Sequence, residues 1–227
     1  MATINEALEE FLAVERKRLS ARTFGNYEEV VFLLRSSLNS YAYDSLEGPE
    51  QERWRKAFDD GDEEAFCHLF GPDKIPEHLG EFLDYFMVRK VMAGEELLRA
   101  SGTVTRKLAA WLHEQGFISD QERQEAAERG AEAGHELPRA DRLGRLLHDE
   151  MERTEPFDPD LPDEDVVDDF LTIERVEPGV LWFEGGIGPV QVSKEASELA
   201  QVGWGVNIAL AQVRGRWQII ELGFVYP

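Results

Sequence analysis

The sequence predicts an α+β protein, an N-terminal all-α helical bundle followed by a small C-terminal five-stranded β-barrel. Three observations carry that prediction. Apolar residues recur at steps of three and four from Ile4-Ala7-Leu8-Phe11 through Leu143-Leu146-Leu147-Met151. Beyond residue 166 the pattern changes to short runs rich in Val, Ile, Phe and Trp, separated by Gly and Pro turns. Between the two lies TEPFDPDLPDED, residues 154–165, whose three prolines and dense carboxylates mark a linker and domain boundary.

The helical elements follow in order. Thr3-Ile-Asn-Glu6 is a capping box opening a first helix with Ile4, Ala7, Leu8, Phe11 and Leu12 on one face. Ser20 caps a second helix whose seam is Phe24, Tyr27, Val31, Leu34, Leu38 and Tyr41. The pattern loosens over 44–75, which reads as an insertion. There Gly48-Pro49 turns the chain, a short helix points Trp54 and Phe58 inward, and Asp62 caps another bearing Phe66, Leu69 and Phe70. Pro76 starts a helix with Leu79, Phe82, Leu83 and Phe86 inward, and Gly102 breaks it. The helix after Gly102 carries Val104, Leu108, Trp111 and Leu112 and stops at Gly116-Phe117, closing a bundle over 1–118. Accessory helices fill 119–153. The first, capped by Ser119 and Glu122, is polar; the second follows Pro138 and docks Leu143, Leu146, Leu147 and Met151 on the bundle.

The barrel occupies 166–227. VVDDFLTIERVE, VLWFE, the segment around Val190 and Val192, VNIALAQV and WQIIELGFVY are its strands. Pro178-Gly179 and Arg214-Gly215 form turns between them, and Ser193 caps a brief helical turn. On this pattern the segment resembles an SH3-like or OB-like barrel. Trp182, Trp204 and Trp217 are candidates for lining a ligand groove, against the competing reading that they plug the barrel or its mouth.

LSARTFGNYEEVVFLLRSSL and GTVTRKLAAWLHEQGFI resemble the two halves of the SAM-like core-binding domain of phage integrases and other tyrosine recombinases. The resemblance covers about residues 1–118, interrupted by 44–75, and in that family the domain clasps DNA opposite a catalytic domain. The family's His-x-x-Arg is missing here, because no histidine of this chain is followed three residues later by arginine. Recombination by this chain alone is therefore not expected. Any retained DNA contact falls to Arg16, Lys17, Arg18 and Arg22 near the first helix junction and to Arg106 and Lys107 after Thr103 and Thr105. The competing reading makes these cations solvated helix faces among comparable acids.

Charge argues for that second reading. The chain of 227 residues has a formal net charge of −22, and residues 119–165 hold six bases against sixteen acids. Such a chain repels bare nucleic acid and anionic membrane. No apolar run approaches the ~18 residues of a membrane span; VVFLL at 30–34 is among the longest. The start of the chain, with Glu6, Glu9 and Glu10, lacks the pattern of a signal peptide, and the single Cys67 points to a reducing compartment, so a cytoplasmic location is expected.

No catalytic constellation is visible, and no cofactor or metal is expected. One cysteine and scattered histidines give no zinc spacing. Gly185-Gly-Ile-Gly188 lacks the Lys-Ser/Thr of a phosphate cradle. Asp158 and Asp160 begin a calcium-loop spacing that Pro162 and Asp163 break. Cys67, beside His68 in sequence, reads as a small buried apolar residue rather than a nucleophile served by His78 or His113. The expectation is a non-enzymatic interaction or adaptor protein whose partner is another protein. Two alternatives stay open: a DNA-binding protein using the core-binding-like domain, and an enzyme with a site between the two domains.

Overall fold

The computed structural model describes residues 2–153 and 166–227. The chain is α+β, helical first and closed by a five-stranded barrel. It divides into two compact units, Met1–His135 and Glu136–Pro227.

In the first unit, α1 (Ile4–Arg16) opens on the Thr3–Glu6 capping box, with both reciprocal hydrogen bonds made. Ser20 caps α2 (Ala21–Tyr41), its hydroxyl accepting from the Thr23 N–H. Phe24, Tyr27, Val31, Leu34 and Leu38 are all buried along α2. Phe11 joins three helices. Its ring lies 6.1 Å from Tyr27 of α2 and 5.9 Å from Trp111 of α7 (Glu95–Glu114).

The segment 44–75 departs from expectation in two opposite ways. Gly48-Pro49 begins α3 (Gly48–Asp59) instead of turning the chain, with proline in the first turn where it costs no hydrogen bond. No side chain of α3 is buried; Trp54 stacks between Tyr43 and Phe58, and Phe58 is 47 % exposed. In contrast, α4 (Ala65–Leu69) supplies interior. Phe66 and Cys67 are fully buried, the Ile4 N–H donates to the Phe70 carbonyl, and the Cys67 N–H donates to Asn39 Oδ1. Part of the stretch read as an insertion, Ala65, Phe66, Cys67 and Phe70, thus belongs to the core.

Gly102 lies inside a helix instead of ending one. α5 (Ile75–Gly80) runs into a π-helical stretch, Glu81–Phe86, and then α6 (Met87–Arg89). The chain leaves helix over 90–94, not at Gly102, which sits inside α7. There it meets α8 (Asp120–Arg153): a β-carbon on Gly102 would stand 2.2 Å from the Gly130 carbonyl oxygen. α8 is one continuous helix with Pro138 inside it, where a break between two accessory helices was expected. Its first half packs through Ala126 and Ala133, 4 % and 5 % exposed, and through Gly130 and Gly134. Small residues let two backbones meet without a large apolar stripe.

The units divide inside α8, and the stretch 154–165 read as the linker lies outside the described residues. In the second unit, Leu143 and Leu147 of α8 are fully buried in one cluster with Leu181, Phe183, Val206 and Leu210 of the barrel. These leucines were expected on the bundle; they serve the barrel interior. Its strands are β1 (Val166–Glu177), β2 (Val180–Phe183), β3 (Ile187–Gln191), β4 (Gly205–Val213) and β5 (Arg216–Tyr226), closed in the order β1-β2-β3-β5-β4. Neighbours pair antiparallel except β3 and β5, joined in parallel at Val190 and Trp217. Arg214 (φ 52°) and Gly215 (φ 77°) make the tight β4–β5 turn, whose twist suits paired left-handed residues. Ser193 caps α9 (Lys194–Leu199), its hydroxyl accepting from the Ala196 N–H.

Candidate functional site

A groove of about 600 Å³ lies between α5 and the first half of α8. Its apolar floor is Pro76, Leu79 and Ala126; its walls are Glu77, Glu122, Glu125, Glu128, Glu132 and Arg129. The helix period explains the wall. Positions 122, 125, 129 and 132 lie three or four residues apart and share one face of α8. Ser119 fixes the start of that face, donating N–H and hydroxyl to Glu122 Oε2 at 2.7 Å each. These donors hold the Glu122 carboxyl below the usual carboxylate range.

Arg129, the one cation of the wall, is already engaged. Its Nη1 lies 2.6 Å from Asp84 Oδ2, and its guanidinium rests against Gly80, where a β-carbon would come within 3.1 Å. Loss of hydration raises the Asp84 carboxyl, and the Arg129 charge opposes that shift. With Arg129 committed to Asp84, the groove presents five carboxylates. It suits a ligand with several positive charges.

The six candidate nucleic-acid residues do not form a prepared phosphate site. Arg18 grips the buried carboxylate of Glu15, Nε to Oε2 at 2.8 Å and Nη2 to Oε1. Arg22 holds Glu96 at 2.6 Å, and Arg16 stacks 5.4 Å from the Phe24 ring centroid. Lys17 is exposed with no ion pair among the described residues. Arg106 and Lys107, expected near a helix start, are exposed in the middle of α7. They therefore gain nothing from a helix N-terminus.

The three tryptophans do not share one groove. Trp204 is 4 % exposed and belongs to the barrel core; its Nε1 donates to Glu136 Oε2 at 2.9 Å. Trp217 packs, partly buried, against that core. Trp182 alternates with the inward Leu181 and Phe183, so it faces outward, beneath the Arg175 guanidinium at 4.1 Å.

Cys67, Ser45 and His78 have the following surroundings. Burial pushes the Cys67 thiol up to about 12, which keeps it neutral and poorly nucleophilic. Ser45 and His78 stand 3.3 Å apart, yet the same Nε2 faces Glu77 at 3.0 Å, and the Ser45 hydroxyl donates to the Ala42 carbonyl. A relay needs the two imidazole nitrogens to serve serine and carboxylate separately. Burial lowers His78, with Glu77 opposing. No group of three His, Cys, Asp or Glu side chains able to hold a metal occurs among the described residues. The calcium-like spacing at Asp158, Asp160, Pro162 and Asp163 lies outside them. Likewise, no helix among the described residues is long and apolar enough to cross a membrane.

The groove itself was missed in the sequence. Glu122, Glu125, Glu128 and Glu132 were legible as a helical row, but nothing in their spacing shows that α5 stands opposite. No protein-family model matches the chain, no curated protein matches it, and no solved structure matches it.

Proposed function

We propose that the chain is a non-enzymatic interaction protein whose helical unit holds a basic segment of a partner protein in the α5–α8 groove. One observation carries this reading: Glu77, Glu122, Glu125, Glu128 and Glu132 surround an apolar floor, while the one wall cation is paired to Asp84. Apolar floor and acidic rim together suit a peptide bearing Lys or Arg beside small apolar residues. The likeness to integrase core-binding domains rests on the sequence and carries no part of this reading.

Calorimetric titration with a capped Lys- and Arg-containing peptide, at two salt concentrations, tests it. Binding should weaken as salt rises, because exposed charges are screened beyond about 8 Å at physiological ionic strength. Joint Glu125→Gln and Glu128→Gln substitution should weaken it about tenfold further. Tight, salt-sensitive binding of duplex DNA with no peptide binding would establish the DNA-binding alternative instead.

A further inference from the structure

The outer face of the barrel across β1, β4 and β5 carries a second arrangement, independent of the groove. Leu171, Val206 and Val225 point into the core, so their strand neighbours Phe170, Gly205 and Tyr226 face out. Phe170 is 47 % exposed and Phe224, two residues before Tyr226, is 40 % exposed. The Phe170 ring lies directly on Gly205, where a β-carbon would fall 2.0 Å from Cζ, and meets Tyr226 edge-on at 5.4 Å. Glycine here makes a floor for the ring.

Carboxylates adjoin the rings. Asp168 pairs across the sheet with Ala209, and Ala209 with Glu221, so both acids stand in the cross-strand row beside Phe170. Asp168 is about 7 Å from Phe170 along its strand, and Glu221 about 10 Å from Asp168 across β4. Both are exposed and have no ionic partner among the described residues. Residues 166–173, 205–211 and 218–226 include no Lys, Arg or His.

We propose that this face docks an arginine-bearing segment of a partner protein, guanidinium planes lying on Phe170 and Phe224 with their edges toward Asp168 and Glu221. Charge complementarity selects the occupant. Exposed rings alone accept a nucleobase or an aliphatic side chain, whereas rings flanked by exposed carboxylates, on strand stretches that hold no cation, repel phosphate and attract a planar cation. Arginine fits better than lysine because its flat, weakly hydrated fork stacks and donates in-plane hydrogen bonds together. This goes beyond the groove, whose glutamates offer no ring and so accept either basic side chain.

The test titrates the full chain with a short capped Arg-Gly repeat peptide and its Lys-Gly counterpart at physiological ionic strength. The Arg peptide should bind about fivefold tighter. Phe170→Leu and Asp168→Asn should each remove that preference with little change in the Lys peptide. Phe224→Leu is the companion variant, because Phe170 also packs on Gly205; unchanged thermal midpoints establish that each variant is folded. Equal affinity for the two peptides, or a preference that survives both ring substitutions, overturns the proposal. So does binding of a single-stranded oligothymidine that depends on Phe170. Loss of both peptides equally in Glu125→Gln with Glu128→Gln reports on the groove alone, so failure of one site is distinguishable from failure of the other.

Discussion

Gly102 of α7 approaches Gly134 of α8 so closely that a β-carbon on Gly102 would stand 2.4 Å from the Gly134 amide nitrogen. The obstacle is backbone, which cannot rotate aside. Gly102→Ala should therefore destabilise the helical unit by about 3 kcal/mol, the upper range for overpacking. Gly25 of α2 has nothing within 4 Å of its β-position, and Gly25→Ala should stabilise by about 0.5–1 kcal/mol. Urea denaturation of the two variants checks the contrast in sign.

Arg18 has a structural task. Glu15 is 2 % exposed, and Arg18 supplies two side-chain donors to its carboxylate. Arg18→Ala should cost about 2 kcal/mol, the scale for stranding a buried charged acceptor, discounted because the arginine itself is half exposed. Lys17→Ala should change stability by less than about 0.5 kcal/mol. A nucleic-acid role for this cluster predicts the reverse ranking in a duplex-binding assay, with Lys17 at least as important as Arg18.

Cys67 should resist a neutral-pH alkylating reagent until the chain unfolds, since burial holds the thiol protonated. The same shift sets a pH dependence. Its folded-state value of about 12 exceeds the ordinary 9.0, so the folded state retains a proton that the unfolded state gives up. Stability from this group is intact below pH 9 and falls between pH 9 and about 12. Cys67→Ala should flatten part of that alkaline decline in a thermal-melt series.

His78 acts at the other end of the pH scale. Burial lowers it below its ordinary 6.5, so the unfolded chain takes up a proton first as pH falls. The resulting loss of stability begins near pH 6.5 and grows on acidification. Replacing His78 by Gln should reduce this acid sensitivity while keeping a side-chain donor for Ser45. Melting midpoints at pH 7 and pH 5 measure the difference.

Trp204 tests the fastening of the 200–204 loop. Its indole N–H and the Gln201 amide both donate to Glu136 on α8. Trp204→Phe keeps the ring and loses the donor, and should destabilise the barrel unit by about 1–2 kcal/mol. Chemical denaturation followed by circular dichroism measures it.

Long, strongly periodic elements were legible in the sequence. Ser20 with its following seam, the Thr3–Glu6 box and the five strands needed only local rules, because each repeats its signal over two or more turns or alternations. Short elements were not. α4 has five residues, too few to display a period, so although Cys67 read as a buried apolar residue, nothing local showed that its segment joins the bundle core. Gly102 misled for another reason: helix breaking is the usual role of glycine, and close backbone approach depends on a second helix that is remote in sequence. Pro138 misled similarly, since α8 continues through it. The acidic row of α8 could be read, but its opposing wall is a tertiary fact. The aromatic face of the barrel depends on register, which brings Phe170 and Tyr226 together across fifty-odd residues.

The burial of Leu143 and Leu147 among barrel side chains has a practical consequence. An expression fragment beginning at Val166 would lack two plugs of its own interior, each worth about 1.5–3 kcal/mol when buried. Such a fragment should take up hydrophobic dye and clump, whereas one beginning before Glu136 should remain monodisperse.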